Sequence, residues 1–289
     1  MNHLLCFGLG LSAQTLAPRL AQQGWSISAT SRSAAGLEAI RARGFSALPL
    51  DPGTALPSET FDDVTHVLIS APPDDDGDPV LHHHLQELIR RAPLIRWLGY
   101  LSTTGVYGDH GGGIVTEDTA LTPNTARGHN RLLAEMQWLA LWRDHGLPVH
   151  IFRLAGIYGP GRNQLLSLLD GTAKRIIKDG QIFSRIHVAD IASVLEASIA
   201  SPNPGRAYNV CDDEPCPPQD VVAFGANLLG VPVPPAIPFA EARLSPMALS
   251  FYADSKRVLN ARIKNELGVR LTYPSYREGL MALAAELKR

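Results

Sequence analysis

Short apolar runs alternate along this chain with longer stretches in which apolar residues recur every three or four positions. The short runs predict strands at Leu4–Gly8, Ser26–Thr30, Ser46–Leu50, His66–Ser70, Trp97–Ser102, Val149–Arg153 and Ala207–Val210. The longer stretches predict helices opening near Ser12, Ala34, Leu81, Gly128, Val188 and Pro218. Strand–helix alternation of this kind indicates a parallel sheet with helices on both faces, wound by right-handed crossovers. The expected class is therefore α/β, a Rossmann-type doubly wound parallel sheet with a smaller C-terminal substrate lobe.

The alternation breaks at Gly159-Pro160-Gly161, and the Pro-rich tract from Leu229 to Pro246 reads as loop. The expected division is a dinucleotide-binding domain over 1–159, to which 187–210 returns, and a substrate lobe from 160–186 and 211–289. Pro18 falls inside the first helix and is expected to kink it or remove one of its hydrogen bonds.

Composition narrows the class. With 26 basic and 28 acidic residues in 289 and a formal net charge of -2, no bulk positive field is available to hold a nucleic acid. The 3 cysteines suit a reducing compartment better than a disulfide scaffold or a zinc site, and no metal site is expected. His82-His83-His84 occupies consecutive helix positions that point apart, so the three cannot converge on an ion. The start of the chain lacks a signal-peptide pattern and no apolar run is long enough to span a membrane, which reads as a cytoplasmic protein with no membrane partner.

Gly8-Leu9-Gly10-Leu11-Ser12-Ala13 follows the first strand and opens a helix, fitting G-x-G-x-x-G/A. Gly8 would make the tight turn, Gly10 would let backbone approach a pyrophosphate, and Ala13 would let helix and strand pack closely. The helix N-terminus would hold the phosphates. An NAD site places a carboxylate at the end of the second strand for the ribose diol. Here Ser31-Arg32-Ser33 stands there instead, suited to a 2′-phosphate. The expected cofactor is NADP, with NAD as the alternative. Ala71, after the fourth strand, is expected to line the same site.

The sequence resembles the extended short-chain dehydrogenase/reductases, the NAD(P)-dependent epimerase/dehydratase family, and in particular its atypical bacterial members. The glycine turn, Leu101-Ser102-Thr103-Thr104-Gly105-Val106-Tyr107-Gly108, Glu117–Pro123 and Leu132-Leu133-Ala134-Glu135 carry the likeness. So do Arg153–Gly161, Arg185-Ile186-His187-Val188-Ala189-Asp190, Tyr208-Asn209-Val210 and Leu267-Gly268. The resemblance implies a Tyr-x-x-x-Lys acid/base pair with a Ser/Thr hydroxyl beside it. Thr103 takes the hydroxyl role, with Ser102 adjacent. Counting back from Leu132, the tyrosine position is Arg127 and the lysine position is Arg131.

A guanidinium stays charged at any physiological pH and cannot act as general base. Arg131 can still bind the cofactor ribose or a phosphate, and Arg127 an oxyanion. Tyr107, Tyr158 and His129 are the candidate replacement acids. Arg153, Tyr158 and Arg185 are expected to bind substrate, since basic residues gather in the motifs that form the cleft. A small anionic metabolite, such as a nucleotide-sugar, would suit. The expected activity is an oxidoreductase or epimerase/dehydratase-like reaction with a displaced acid/base; the alternative is a catalytically silent NADP-binding sensor. The helix after Gly128 is apolar nearly all round, with Trp138 and Trp142, so its outer face needs a partner, and the family resemblance implies a homodimer packed through it.

Overall fold

The computed structural model describes residues 1–51 and 53–287. All seven strands predicted from the apolar runs form one sheet. They are β1 (His3–Phe7), β2 (Ser26–Ser31), β3 (Ser46–Pro49), β4 (His66–Ile69), β5 (Trp97–Thr103), β6 (Val149–Leu154) and β7 (Ala207–Val210). Their spatial order is β7-β6-β5-β4-β1-β2-β3, a parallel doubly wound sheet of Rossmann type. β4 and β6 are buried at every position, as strands covered on both faces must be.

The chain forms two compact units. The first comprises 1–103, 129–153 and 192–208; the second comprises 104–128, 154–191 and 209–289. In the first unit, helices α1 (Leu11–Gln22), α2 (Ala34–Arg41) and α3 (Pro79–Arg91) follow their strands. α1 runs unbroken through Pro18 rather than ending there. The carbonyl that loses its donor belongs to Gln14, an exposed residue, where water can replace the bond. α3 starts at Pro79 with Asp78 as its cap, accepting from the Val80 and Leu81 amides. Phe7, Phe61, Val67, Leu88, Leu98, Tyr100 and Trp138 share one continuous core.

The long helix α4 (Ala126–His145) corrects an expectation. Trp138 is not an outward-facing residue: it is fully buried, and its indole Nε1 donates to Asp78 Oδ2 at 2.9 Å. Trp142 lies against Gly205, where an added Cβ would sit 2.5 Å from the ring. The apolar side chains that α4 leaves exposed are Leu133 (59%), Met136 (60%) and part of Trp142 (40%).

The second unit is built from short pieces. Arg185–His187 pairs with Gly156–Tyr158, and Arg257–Val258 pairs with Ile114–Val115. Within the Pro-rich tract read as loop, Ala236–Pro238 forms a strand against Arg175–Ile177. Tyr158, Leu165, Cys216, Val221, Tyr276 and Leu280 pack together under the helices Gln164–Leu169, Pro218–Leu229 and Tyr276–Leu287. Among the described residues no helix is long and apolar enough to cross a membrane.

Candidate functional site

The glycine turn sits where β1 hands over to α1. Gly8 has φ 85°, a conformation open to glycine but strained for other residues. Its amide donates to Thr30 Oγ1 at 2.9 Å, fixing the turn to the end of β2. A Cβ on Gly8 would lie 3.5 Å from the Ala71 amide nitrogen, and one on Gly10 would lie 3.2 Å from Ser70 Oγ. The turn therefore presses on the residues following β4, whose amides, Ser70 and Ala71, both donate to Phe7 O. Gly10 caps α1 without a side-chain hydrogen bond, and the first turn carries no acidic residue. The leading amides and the positive end of the helix dipole are thus left for an external anion. Ala13 is fully buried beneath, so nothing larger would fit without moving α1.

At the end of β2, Ser31 and Ser33 close a tight turn. The Ser33 amide donates to Ser31 Oγ at 3.2 Å, and Ser33 Oγ accepts from the Gly36 amide at 3.1 Å as the cap of α2. A Cβ on Gly36 would collide with Ser31 Oγ, at 2.1 Å, so this glycine makes room for the turn. Arg32 is exposed between the two serines and the first turn of α2 has no acidic residue. The residues here fit a dinucleotide, with a cation in place of the carboxylate that a ribose diol would need.

Thr103 ends β5, half-buried. Ser102 beside it is committed elsewhere: its hydroxyl donates to Glu135 Oε1. Glu135 also receives Arg153, through Nη2 at 2.9 Å and Nε at 3.2 Å, and both side chains are buried. This overturns the expectation of a substrate anion at Arg153, because its charge is already neutralised inside the fold. Glu135 is the group that sequence reasoning did not assign a role. Its signal was a lone carboxylate in an apolar helix segment, four residues after Arg131.

Arg131 is also buried. Its Nη1 donates to Leu101 O, its guanidinium lies 5.6 Å from the centre of the Tyr100 ring, and its Nε has no hydrogen-bond partner. Asp78 supplies a negative charge nearby, although burial pulls its own carboxyl toward the neutral form. An orphaned donor on a permanent cation is consistent with a group built to receive a further acceptor.

The other site residues belong to the second unit. Arg127 is exposed, with its guanidinium 5.8 Å from the centre of the Phe251 ring. Tyr107 is fully buried and its hydroxyl donates to Asn209 Oδ1 at 2.7 Å. Tyr158 donates to Ser275 O at 3.3 Å and fills the space left by Gly279. Burial, reinforced by Asp212 and Asp190, pushes its phenol far above the usual tyrosine range. These placements suit tyrosines that pack and hold backbone better than tyrosines that exchange protons. His187 lies against Tyr158 and Tyr273, its Nδ1 accepting from the Ala189 amide, and burial lowers it to about 4.

Arg185 is half-buried, and its Nη1 donates to Phe183 O and Cys216 Sγ, both at 3.2 Å. Beside it Asp212 is buried, with Oδ2 unpartnered. Desolvation pushes the Asp212 carboxyl up to about 8, against the pull of Arg185. At neutral pH Asp212 is therefore mostly protonated, and Arg185 keeps its net charge. Burial also holds the Cys216 thiol neutral, near 11.

The chain matches the NAD dependent epimerase/dehydratase family over residues 80–211. It is 30% identical over 293 residues to Protein YeeZ of Escherichia coli K12, covering 95% of this chain and 97% of that one. Among solved structures it is 56% identical to a functionally unknown conserved protein from Silicibacter pomeroyi, with TM-score 0.92 and both chains covered in full. A dTDP-glucose 4,6-dehydratase from Bacillus anthracis in complex with NAD has TM-score 0.78 at 21% identity, covering 100% of this chain and 96% of that one.

Removing one partner of the Glu135–Arg153 pair leaves a buried charge uncompensated. Glu135→Ala is expected to destabilise the protein by roughly 3–5 kcal/mol, as breaking buried pairs does. Chemical denaturation of the variant would measure this, and a loss below about 1 kcal/mol would show the pair to be dispensable.

Proposed function

Because the chain belongs to the NAD-dependent epimerase/dehydratase family, we propose that it binds NADP and carries out an oxidoreductase or epimerase/dehydratase-like reaction on a small anionic metabolite. The observation that carries this reading is the glycine turn at Gly8–Ala13, which opens α1 with no side-chain cap, in the same unit as the buried Arg131 with its unpartnered Nε. When bound, the nicotinamide would supply hydride transfer. Gly8, Gly10 and the opening turn of α1 would hold the pyrophosphate, and Ser31, Arg32 and Ser33 the 2′-phosphate. Arg131 would meet the ribose or a phosphate through its unpartnered Nε. Thr103 would orient the substrate oxygen. Arg127 and Arg185 would hold a carboxylate or phosphate, and as permanent cations they position charge without moving protons. A nucleotide-sugar bearing such a group is the favoured substrate class. The dTDP-glucose dehydratase with a similar fold lends support to that choice.

A second reading has its own support. Tyr107 and Tyr158 are both engaged with backbone or amide partners, which favours a catalytically silent NADP-binding sensor. Turnover of bound NADPH or NADP against a panel of anionic metabolites separates the two. No spectral change at the nicotinamide with any of them would leave the sensor.

The cofactor assignment is tested by fluorescence titration. NADPH should bind more tightly than NADH, and Arg32→Ala should remove most of that preference, a loss of about 1–2 kcal/mol for a charge-assisted contact. Equal affinity of the wild-type protein for both cofactors would reject it.

Substrate-anion binding at Arg185 should depend on pH. Below the Asp212 transition near 8 the carboxyl is neutral and Arg185 is free to attract an anion. Above it the carboxylate forms and competes. Affinity should therefore fall as pH rises through about 8. Asp212→Asn should abolish that limb while preserving binding at neutral pH; a limb that survives in the variant would exclude Asp212 as its source.

We also propose a homodimer packed through the exposed face of α4, with Leu133 and Met136 at its centre and Trp138 excluded from it. The wild-type protein should sediment as a dimer, and Met136→Glu should yield folded monomer. A wild-type monomer at micromolar concentration would contradict this.

A further inference from the structure

Gln14, in the first turn of α1, reaches back to the glycine turn: its side-chain Nε2 donates to Leu9 O at 2.8 Å. Its backbone amide donates to Gly10 O, also at 2.8 Å, as a helical bond. One residue therefore holds two successive carbonyls of the turn. Arg43, just past the end of α2, holds Gln14 in its place. Its Nη2 donates to Gln14 Oε1 at 3.3 Å and its Nη1 to Ala39 O at 2.9 Å. All of these residues belong to the first unit, and both Gln14 and Arg43 are exposed.

Exposed polar bonds of this kind add little to the stability of a fold, because water can replace them. What they fix is the direction of one peptide group. Upstream, the turn is pinned by the Gly8 amide on Thr30 Oγ1 and by Phe7 O, which accepts from Ser70 and Ala71. Downstream, α1 begins. The Leu9–Gly10 peptide between them ends on a glycine, so its plane turns at low cost. A trans peptide points its C=O and N–H in opposite directions. With Leu9 O held on Gln14, within the helix, the Gly10 N–H points the other way and joins the leading amides of α1. The opposite orientation would set a carbonyl at the helix start and repel an anion there.

Arg43 also settles which end of the Gln14 amide faces the turn. A guanidinium has no acceptor, so it meets the oxygen and leaves Nε2 for Leu9 O. A cation on Oε1 further polarises the amide and strengthens Nε2 as a donor. We propose that Gln14 is a positioning residue for the pyrophosphate of the dinucleotide, holding the Gly10 N–H toward the anion, and that Arg43 acts through Gln14. The proposal rests on the reading of Gly8–Ala13 as a cofactor site. The pyrophosphate is common to NADP and NAD, so the effect is common to both, unlike that of Arg32.

Fluorescence titration of the full chain with NADPH and with NADH tests this, with inorganic pyrophosphate as a competing probe of the turn alone. Gln14→Met removes the donor but keeps side-chain length and helix preference. It should weaken both cofactors and pyrophosphate about tenfold and leave the NADPH-to-NADH ratio unchanged. Arg32→Ala should change that ratio and spare pyrophosphate. Arg43→Ala should weaken both cofactors about threefold in the wild-type background and add nothing in Gln14→Met, and Arg43→Lys should restore binding. Gln14→Glu separates positioning from folding. An acidic side chain in the first turn favours the helix, so the unfolding midpoint should not fall, while both cofactors bind more than about tenfold more weakly. Unchanged affinity in Gln14→Met, or a loss confined to NADPH, would overturn the proposal and leave the cofactor reading standing. Wild-type protein that binds neither cofactor would overturn both. Unfolding midpoints that fall with affinity in both Gln14 variants would assign Gln14 a structural role instead.

Discussion

The buried pair of Glu135 and Arg153 is the constraint around which the first unit is arranged. Glu135 stands on α4 and Arg153 on β6, while Ser102 on β5 donates to the same carboxylate. Taking two charges out of water is costly, and the cost is offset only when geometry and hydrogen bonds are both satisfied. Here they are: the carboxylate receives a fork of guanidinium donors and a hydroxyl. The consequence is register. If α4 slid by one residue along the sheet, a charge would be stranded in the core, so the helix has one seat. That seat fixes Arg131, one turn earlier, under the end of β5, and Trp138, one turn later, on Asp78.

This explains which parts of the fold could be read in advance. The inner strands β4 and β6 are buried at every position and the edge strand β3 at none, yet each of the seven stands out as a short segment between turn residues, and all seven were legible to within a residue or two. The glycine turn was legible because a positive φ at Gly8 leaves a residue-type signature. Pairings between distant residues leave no such mark. Trp138 faces inward because its ring packs on Tyr100 and its indole meets the Asp78 carboxylate, 60 positions away, and neither partner is visible from the helix alone. The three-residue strands at Arg175 and Ala236 are too short to show a period, and one lies among prolines.

Arg153 illustrates the same limit at the site. Sequence places it in a motif beside other basic residues, and a cation in a cleft-forming motif suggests an anion. Which anion is a three-dimensional question, answered by Glu135. Arg127, Arg131 and Arg185 share the motif argument but differ in surroundings. Arg127 is exposed over an aromatic ring, Arg131 is buried with a donor unspent, and Arg185 faces a carboxyl that burial keeps protonated.

These surroundings bear on what kind of chemistry the chain can support. A tyrosine–lysine pair moves a proton because lysine lowers the phenol toward neutrality. With Arg127 and Arg131 at those two positions, as the proposed reading has it, two fixed charges stand in place of a titrating couple. The buried tyrosines do not restore it, since Tyr158 is driven upward by burial and neighbouring carboxyls, and Tyr107 is fully buried on Asn209. On the proposed reading, what remains is electrostatic: a helix N-terminus that would take a phosphate and cations that never change state. Such an arrangement would bind, orient and stabilise developing negative charge. Any proton that the proposed reaction needs would then come from the substrate, from water or from a group that titrates near neutrality, and Asp212 is one buried group shifted into that range.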